Sequence, residues 1–363
     1  MTLKIFMGHD FFGAGNFGDD LMLDGFLRRL VTSGQQAEVV GCIPHDIESQ
    51  RRRFPGIEWL SAADGQHREE RLRDADVWLA LGGTPFQLES GPWSLDHLDR
   101  ERELCRRLGK PMVFFGVGCD SPDAVCDPRA RRVIDAAERI WTRDARSADV
   151  IGGMAADGIV VQGADLAHIA LGAAAKPARE PAVLGLLLGL QGPGIVDMTA
   201  VEEDIARRFP AKTRWLVQET RSFPCTERWN HASLSERTRG AVRLMPMEYT
   251  TDTIEELLAN FGAPETVVSS RYHGALIAAW HDCRLSVIAR TEKLDGIIAD
   301  LDVPYVRRIT TADQLEALAR EAVPVESARL EVLRDRANAM CDALFAWLGA
   351  SGASLHVNGQ RSG

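Results

Sequence analysis

No window of this 363-residue sequence supplies the long apolar run of a membrane span, which takes roughly 18 to 20 consecutive residues. The densest run, Val183 to Leu190, is the size of a strand. The first residues also lack the apolar core and cleavage site of a signal peptide. Met1 to Met7 offers only a short apolar stretch before His9 and Asp10 and reads as an opening β-strand. The expected location is the cytoplasm. None of the seven cysteines forms a C-x-x-C pair and their number is odd, which argues against a disulfide framework or a structural zinc site. No two histidines stand at H-x-x-x-H spacing, so no metal is expected. Excess positive charge is missing as well. A net charge of −10 excludes a non-specific nucleic-acid binder, and any anionic ligand must be held by a local basic pocket.

What is present is the composition of a soluble globular protein, 45% hydrophobic and 26% charged, in a chain long enough for two domains. Up to about residue 170, short β-branched or apolar runs alternate with amphipathic stretches, the pattern of parallel βαβ units. Strands are expected near Leu3 to Met7, Ala37 to Cys42, Asp76 to Leu81, Pro111 to Gly116, Ile140 to Thr142 and Gly158 to Val161. The segment Ala175 to Pro181, with two prolines and three charges, reads as a linker. The alternation then restarts, with strands near Val183 to Leu188, Arg214 to Val217, Thr266 to Ser269 and Leu285 to Ile288. The fold class that follows is α/β, with two doubly wound parallel-sheet (Rossmann-like) domains facing a cleft, residues 1–175 and 182–349. A long proline-free helix from Ser327 to Leu348 ends the second and could cross back onto the first; residues 350–363 are expected to be a loose tail.

In such sheets ligands bind where strands end and helices begin. Gly13-Ala14-Gly15-Asn16-Phe17-Gly18 formally matches the dinucleotide fingerprint. Its loop is lengthened by Asp10 to Phe12, and the acidic residue of the next strand, Glu38, opens that strand instead of closing it. The better reading is a backbone made approachable by Gly15 and its neighbours, with Asn16, Asp19 and Asp20 either capping the next helix or offering acceptors to sugar hydroxyls. Gly82-Gly83 and Gly116-Val117-Gly118 repeat the strand-to-glycine transition at the same edge.

Two segments add positive charge there. Arg143 stands where a strand gives way to a helix and brings a rigid fork of donors suited to carboxylate or phosphate; Asp144 and Ser147 can orient it or cap the helix. Ser269-Ser270-Arg271-Tyr272-His273-Gly274 lies between a buried strand and an apolar helix, so its polar groups need partners, and an anion at the helix N-terminus is the economical one. His273 can exchange a proton near neutral pH. Lys293, opening a further helix, either joins the pocket or is a solvated surface lysine.

Taken in order, Gly13 to Asp19, Gly82-Gly83, Gly116 to Gly118, Arg143 to Ser147, Ser269 to Gly274 and Lys293 make the sequence resemble the polysaccharide pyruvyl transferases. The resemblance implies a fold similar to the B-type glycosyltransferases. It also implies transfer of a pyruvyl group from phosphoenolpyruvate to sugar hydroxyls of a cell-surface glycan or its precursor, as a ketal, with no cofactor. His273, Arg271 and Arg143 would be the catalytic residues. Gly15, Asn16, Asp19, Asp20, Gly83, Gly118, Asp144, Ser147, Ser269, Ser270, Gly274 and Lys293 would bind substrate. The partners implied are a small-molecule donor and a saccharide acceptor, lipid- or nucleotide-linked; self-association is left open. Two readings compete with this one: a nucleotide-sugar glycosyltransferase using the same cleft, and a catalytically silent glycan-binding or assembly protein.

Overall fold

A computed structural model of the chain describes residues 2–9, 12, 16–43, 47–88, 91–188, 199–208, 213–217, 236, 243–246 and 253–359. It contains two parallel sheets. The first runs through β1 (Leu3–Met7), β2 (Ala37–Ile43), β3 (Glu58–Ser61), β4 (Val77–Leu81), β5 (Met112–Val117), β6 (Ala137–Thr142) and β7 (Val160–Gln162), in the spatial order β3-β2-β1-β4-β5-β6-β7. The order reverses beside β1, so that the chain leaves the C-terminal ends of β1 and β4 toward different cores and a crevice opens between the two connections. The second sheet has the same logic. It comprises β8 (Arg179–Leu187), β9 (Thr213–Val217), β10 (Arg243–Pro246), β11 (Ala263–Ser269), β12 (Arg284–Ile288) and β13 (Tyr305–Val306), ordered β10-β9-β8-β11-β12-β13. The short β14 (Val323–Pro324) pairs antiparallel with β12.

Burial on both faces explains why the central strands read as unbroken apolar runs: every residue of β4 and β5 is buried. The edge strand β3, only four residues long, has no such run, and the sequence expectations omitted it. The expected linker overlaps the second sheet, because β8 already begins at Arg179, which pairs with Ala263.

The helices that frame the cleft are α1 (Phe17–Thr32), α2 (Ile47–Arg53), α3 (Gly65–Asp74), α4 (Trp93–Leu108), α5 (Pro122–Cys126), α6 (Pro128–Ala136), α7 (Ala145–Gly152), α8 (Ala167–Ala173), α9 (Thr199–Arg208), α10 (Ile254–Phe261), α11 (Tyr272–Trp280), α12 (Lys293–Leu301), α13 (Ala312–Glu321) and α14 (Ser327–Gly359). One apolar core extends from the β1 face through α1, α8 and α14 to α11, so the two sheets are joined by shared packing. Along α14, Met340 closes over Gly163, Phe345 meets Phe26, and Asp342 accepts from Arg29 at 2.6 Å. The helical backbone continues through Gly359, so residues 350–359 are helix where a loose tail was expected. Extending an existing helix adds a hydrogen bond per residue without a new nucleus, which outweighs the weak propensity of glycine and serine.

Candidate functional site

Glycines stand at the C-terminal ends of two neighbouring strands, β4 and β5. Gly82, Gly83 and Gly116 hold positive φ values of 67°, 71° and 67°, where an L side chain would be strained. The Gly118 amide donates to the Gly83 carbonyl at 2.8 Å, tying the ends of β4 and β5 together. At α1, Asn16 is the N-cap and its side chain accepts from the Gly18 amide at 3.2 Å. Asp19 lies buried in the first turn.

Arg143 follows β6 directly. Its amide donates to the Val117 carbonyl at 3.0 Å, and its side chain is only 3% exposed. The guanidinium lies over the Tyr272 ring, 3.9 Å from its centroid, and packs against Gly118. A Cβ built on Gly118 would stand 2.6 to 2.8 Å from three guanidinium atoms, so glycine is required for the cation to lie there. Burial works against the charge of Arg143, and the Tyr272 phenol with the carboxylates of Asp144 and Asp165 outweighs it, so the group stays protonated. Asp144 fulfils both expectations raised for it. One oxygen caps α7 by accepting from the Ser147 amide at 2.7 Å, and the other faces Arg143 Nε at 3.4 Å. The Ser147 hydroxyl accepts in turn from the Cys119 amide at 3.0 Å.

The second sheet supplies the facing wall. Ser269 ends β11, and its hydroxyl donates to the Arg271 carbonyl at 2.8 Å while accepting from the Arg271 amide at 3.1 Å. That hydroxyl locks the turn into α11. The Ser270 amide donates to the Leu187 carbonyl at 2.8 Å. Arg271 stands at the N-cap position of α11 and is half-buried, followed by Tyr272 and His273, both buried. Gly274 lets α11 sit on Leu187, because any Cβ would collide with that side chain. Lys293 opens α12 and is half-buried. Next to it Glu292 accepts from Arg146 at 2.5 Å, and Gly296 of α12 packs on the Asp144 carboxylate.

The structure therefore brings Gly118, Arg143, Asp144, Tyr272 and His273 together at the junction of the two sheets, with Gly18 pressed against the His273 ring. It does not bring Asp20 there. That carboxylate is buried against α2, from which Arg53 donates to it at 2.5 Å and Gln50 at 3.2 Å. Gly15 lies outside the described residues.

The sequence expectations missed one residue. Asp165 in Gly163-Ala164-Asp165-Leu166 follows β7, is fully buried, and faces His273 Nε2 at 3.2 Å through Oδ2. Its Oδ1 accepts from the Ala167 amide at 2.9 Å. Burial disfavours its charge, yet His273 and Arg143 hold its pKa down at about 2. Nearby, burial pushes His168 down to about 4, and its Nδ1 accepts from Trp280 at 3.0 Å. The available signal was a lone carboxylate in an apolar strand-to-helix junction, the same signal that marked Arg271 and His273.

Comparison with known proteins addresses ancestry. No curated protein sequence matches the chain. Among solved structures, a Listeria monocytogenes protein assigned as a UDP-N-acetylglucosamine 2-epimerase superposes with a TM-score of 0.62 at 12% identity, covering 98% of each chain. The UDP-GlcNAc 2-epimerase of Methanocaldococcus jannaschii gives 0.57 at 11% identity over 95% of this chain and 100% of its own. Anabaena Alr3699/HepE, solved with UDP, gives 0.57 at 9% identity over 96% of this chain and 100% of its own. These likenesses show a fold of the B-type glycosyltransferase kind. None of the described helices is long and apolar enough to cross a membrane. A family model described as polysaccharide pyruvyl transferase matches residues 16–289, a span that takes in the α1 cap, the Gly118–Arg143 contact and the whole of Ser269 to Gly274. A match over so much of the chain makes it a transferase, and the protein belongs to the polysaccharide pyruvyl transferase family.

Proposed function

We propose that the protein transfers the pyruvyl group of phosphoenolpyruvate to two hydroxyls of a saccharide, forming a cyclic ketal. The observation that carries this reading is the buried Arg143 guanidinium stacked at 3.9 Å on Tyr272, whose chain neighbours are Arg271 and His273 at the N-terminus of α11. In a chain of net charge −10, that is a local concentration of cationic and helix-end donors, suited to a ligand with both a carboxylate and a phosphate.

In the reaction, a proton adds to the methylene carbon of the enol, leaving an oxocarbenium-like centre at C2. One sugar hydroxyl attacks C2 and gives up its proton. A second hydroxyl then displaces phosphate from C2 and gives up its proton, so two C–O bonds form, the C2–O bond to phosphate breaks, and inorganic phosphate leaves. Arg143 and Arg271 hold the donor anion, His273 exchanges the proton, and Asn16 and Asp19 lie on the acceptor side at α1. The acceptor is a glycan precursor, lipid- or nucleotide-linked.

Phosphate release from phosphoenolpyruvate across a panel of saccharide acceptors tests the reading, with Arg271→Ala and His273→Ala alongside. Acceptor-dependent release that falls by at least about 100-fold in both variants is expected. Undiminished release in both would refute the site. Because Alr3699/HepE has been solved with UDP, a nucleotide-sugar donor is the second reading. Thermal stabilisation by UDP and its sugars but not by phosphoenolpyruvate would favour it.

A further inference from the structure

The His273 ring is clamped between two elements of the first-sheet half of the chain. On one side Asp165, ahead of α8, faces Nε2 at 3.2 Å with a side chain that is 0% exposed. On the other, a Cβ at Gly18 would collide with Nδ1, so the ring lies against the first turn of α1. The carboxylate is itself fixed, since its second oxygen accepts from the Ala167 amide at 2.9 Å. An ionised carboxylate can only accept, so Nε2 carries the hydrogen and donates to Asp165, and Nδ1 is the nitrogen left to gain or lose a proton.

We propose that Asp165 is the positioning residue of this site: it fixes the Nε2–H tautomer of His273 and leaves Nδ1, beside Gly18, as the nitrogen that exchanges the proton. The idea rests on His273 being the proton-exchanging group of the proposed reaction. Asp165 precedes β8 and His273 follows it, so the pair spans the junction of the two halves. Any separation of the halves removes the imidazole from its carboxylate.

Other charged and titratable groups face the same ring. His168 on α8 is held neutral by burial and bonded to Trp280. Arg143 after β6 interacts with Asp165, and Asp144 and Asp300 add negative charge beyond it. Tyr272 stands edge-on with its ring centroid 5.3 Å away, and Asp19 follows Gly18 in α1. Asp165 makes the hydrogen bond to the imidazole.

The test begins with a measurement independent of donor chemistry. Histidine-ring 15N NMR of the full chain, with the His273 signals assigned by their loss in His273→Gln, should show an Nε2–H tautomer in the wild type. In Asp165→Asn, whose amide oxygen keeps the bond to the Ala167 amide and so turns its NH2 toward Nε2, the tautomer should switch to Nδ1–H. An Nδ1–H tautomer in the wild type, or an unchanged Nε2–H tautomer in the variant, overturns the proposal. The wild-type tautomer is readable even if the variant does not fold. In the phosphate-release assay, Asp165→Asn should lower kcat at least about tenfold and leave KM for phosphoenolpyruvate within about twofold. Asp165→Glu should restore part of that loss. A pure rise in KM, or no restoration by glutamate, would mean a structural role only. If no phosphate is released by any form of the protein, the donor assignment fails while the NMR result still decides the role of Asp165.

Discussion

Replacing Gly118 with alanine is the sharpest probe of the Arg143 site, because the substitution adds one carbon and nothing else. That carbon would stand 2.6 Å from Nε, 2.7 Å from Cζ and 2.8 Å from Nη2 of Arg143, where ordinary contact begins near 3.4 Å. The guanidinium must give way by about 0.7 Å. The Tyr272 ring, 3.9 Å away, narrows the directions open to it. The shift should change the orientation in which it presents its donors to the proposed donor anion. Misplacement on this scale costs on the order of 10- to 100-fold in rate, or about 1.4 to 2.7 kcal/mol of transition-state stabilisation. The accompanying stability loss should be modest, about 1 to 3 kcal/mol for one extra methyl in a packed site. The bond from residue 118 to the Gly83 carbonyl survives, since alanine keeps its amide. Acceptor-dependent phosphate release gives kcat/KM, and thermal melts followed by circular dichroism give stability. Gly152→Ala, whose added carbon meets open space near the end of α7, serves as the matched control. If Gly118→Ala retained kcat/KM within twofold of wild type, Arg143 would not act through the orientation described here.

Three more outcomes follow from the packing and the charges. Asp20→Ala should destabilise the fold by about 3 to 5 kcal/mol, since it removes one member of a buried ion pair, and Arg53→Ala should cost a similar amount. Denaturant unfolding at neutral pH reads both, and a wild-type midpoint in either would show that the pair is not what holds α2 to α1. Asp300 has its carboxyl pKa pushed up to about 7, first by burial and then by Asp144, with Arg336 opposing. A carboxyl with a raised folded pKa weakens the fold progressively as pH rises from its unfolded value near 4 through 7. Asp300→Asn should thus raise Tm by a few degrees at pH 8 and by little at pH 4; an equal gain at both would exclude this origin. Phe345→Ala, which removes a buried ring packed on Phe26, should cost about 3 to 5 kcal/mol by undocking α14 from α1, read in the same unfolding experiment.

The alternation of buried strand and amphipathic helix, the glycines that close strand ends, and the polar segment from Ser269 to Gly274 between apolar flanks were all legible in the sequence. Each is a local feature, set by side-chain periodicity and by what a backbone turn requires, so neighbouring residues carry enough information. Arg143 could be placed at a strand end for the same reason. Tertiary structure decided the partners. It paired Asp20 with Arg53, 33 residues away, in a buried ion pair. It folded the Ser269 hydroxyl back onto the Arg271 backbone and laid Arg143 against Gly118 and Tyr272. It also set Asp165 against His273 across 108 residues. Such pairings depend on how two sheets pack through α1, α8, α11 and α14, and the cost of burying a charge decides them only once that packing places the groups within reach.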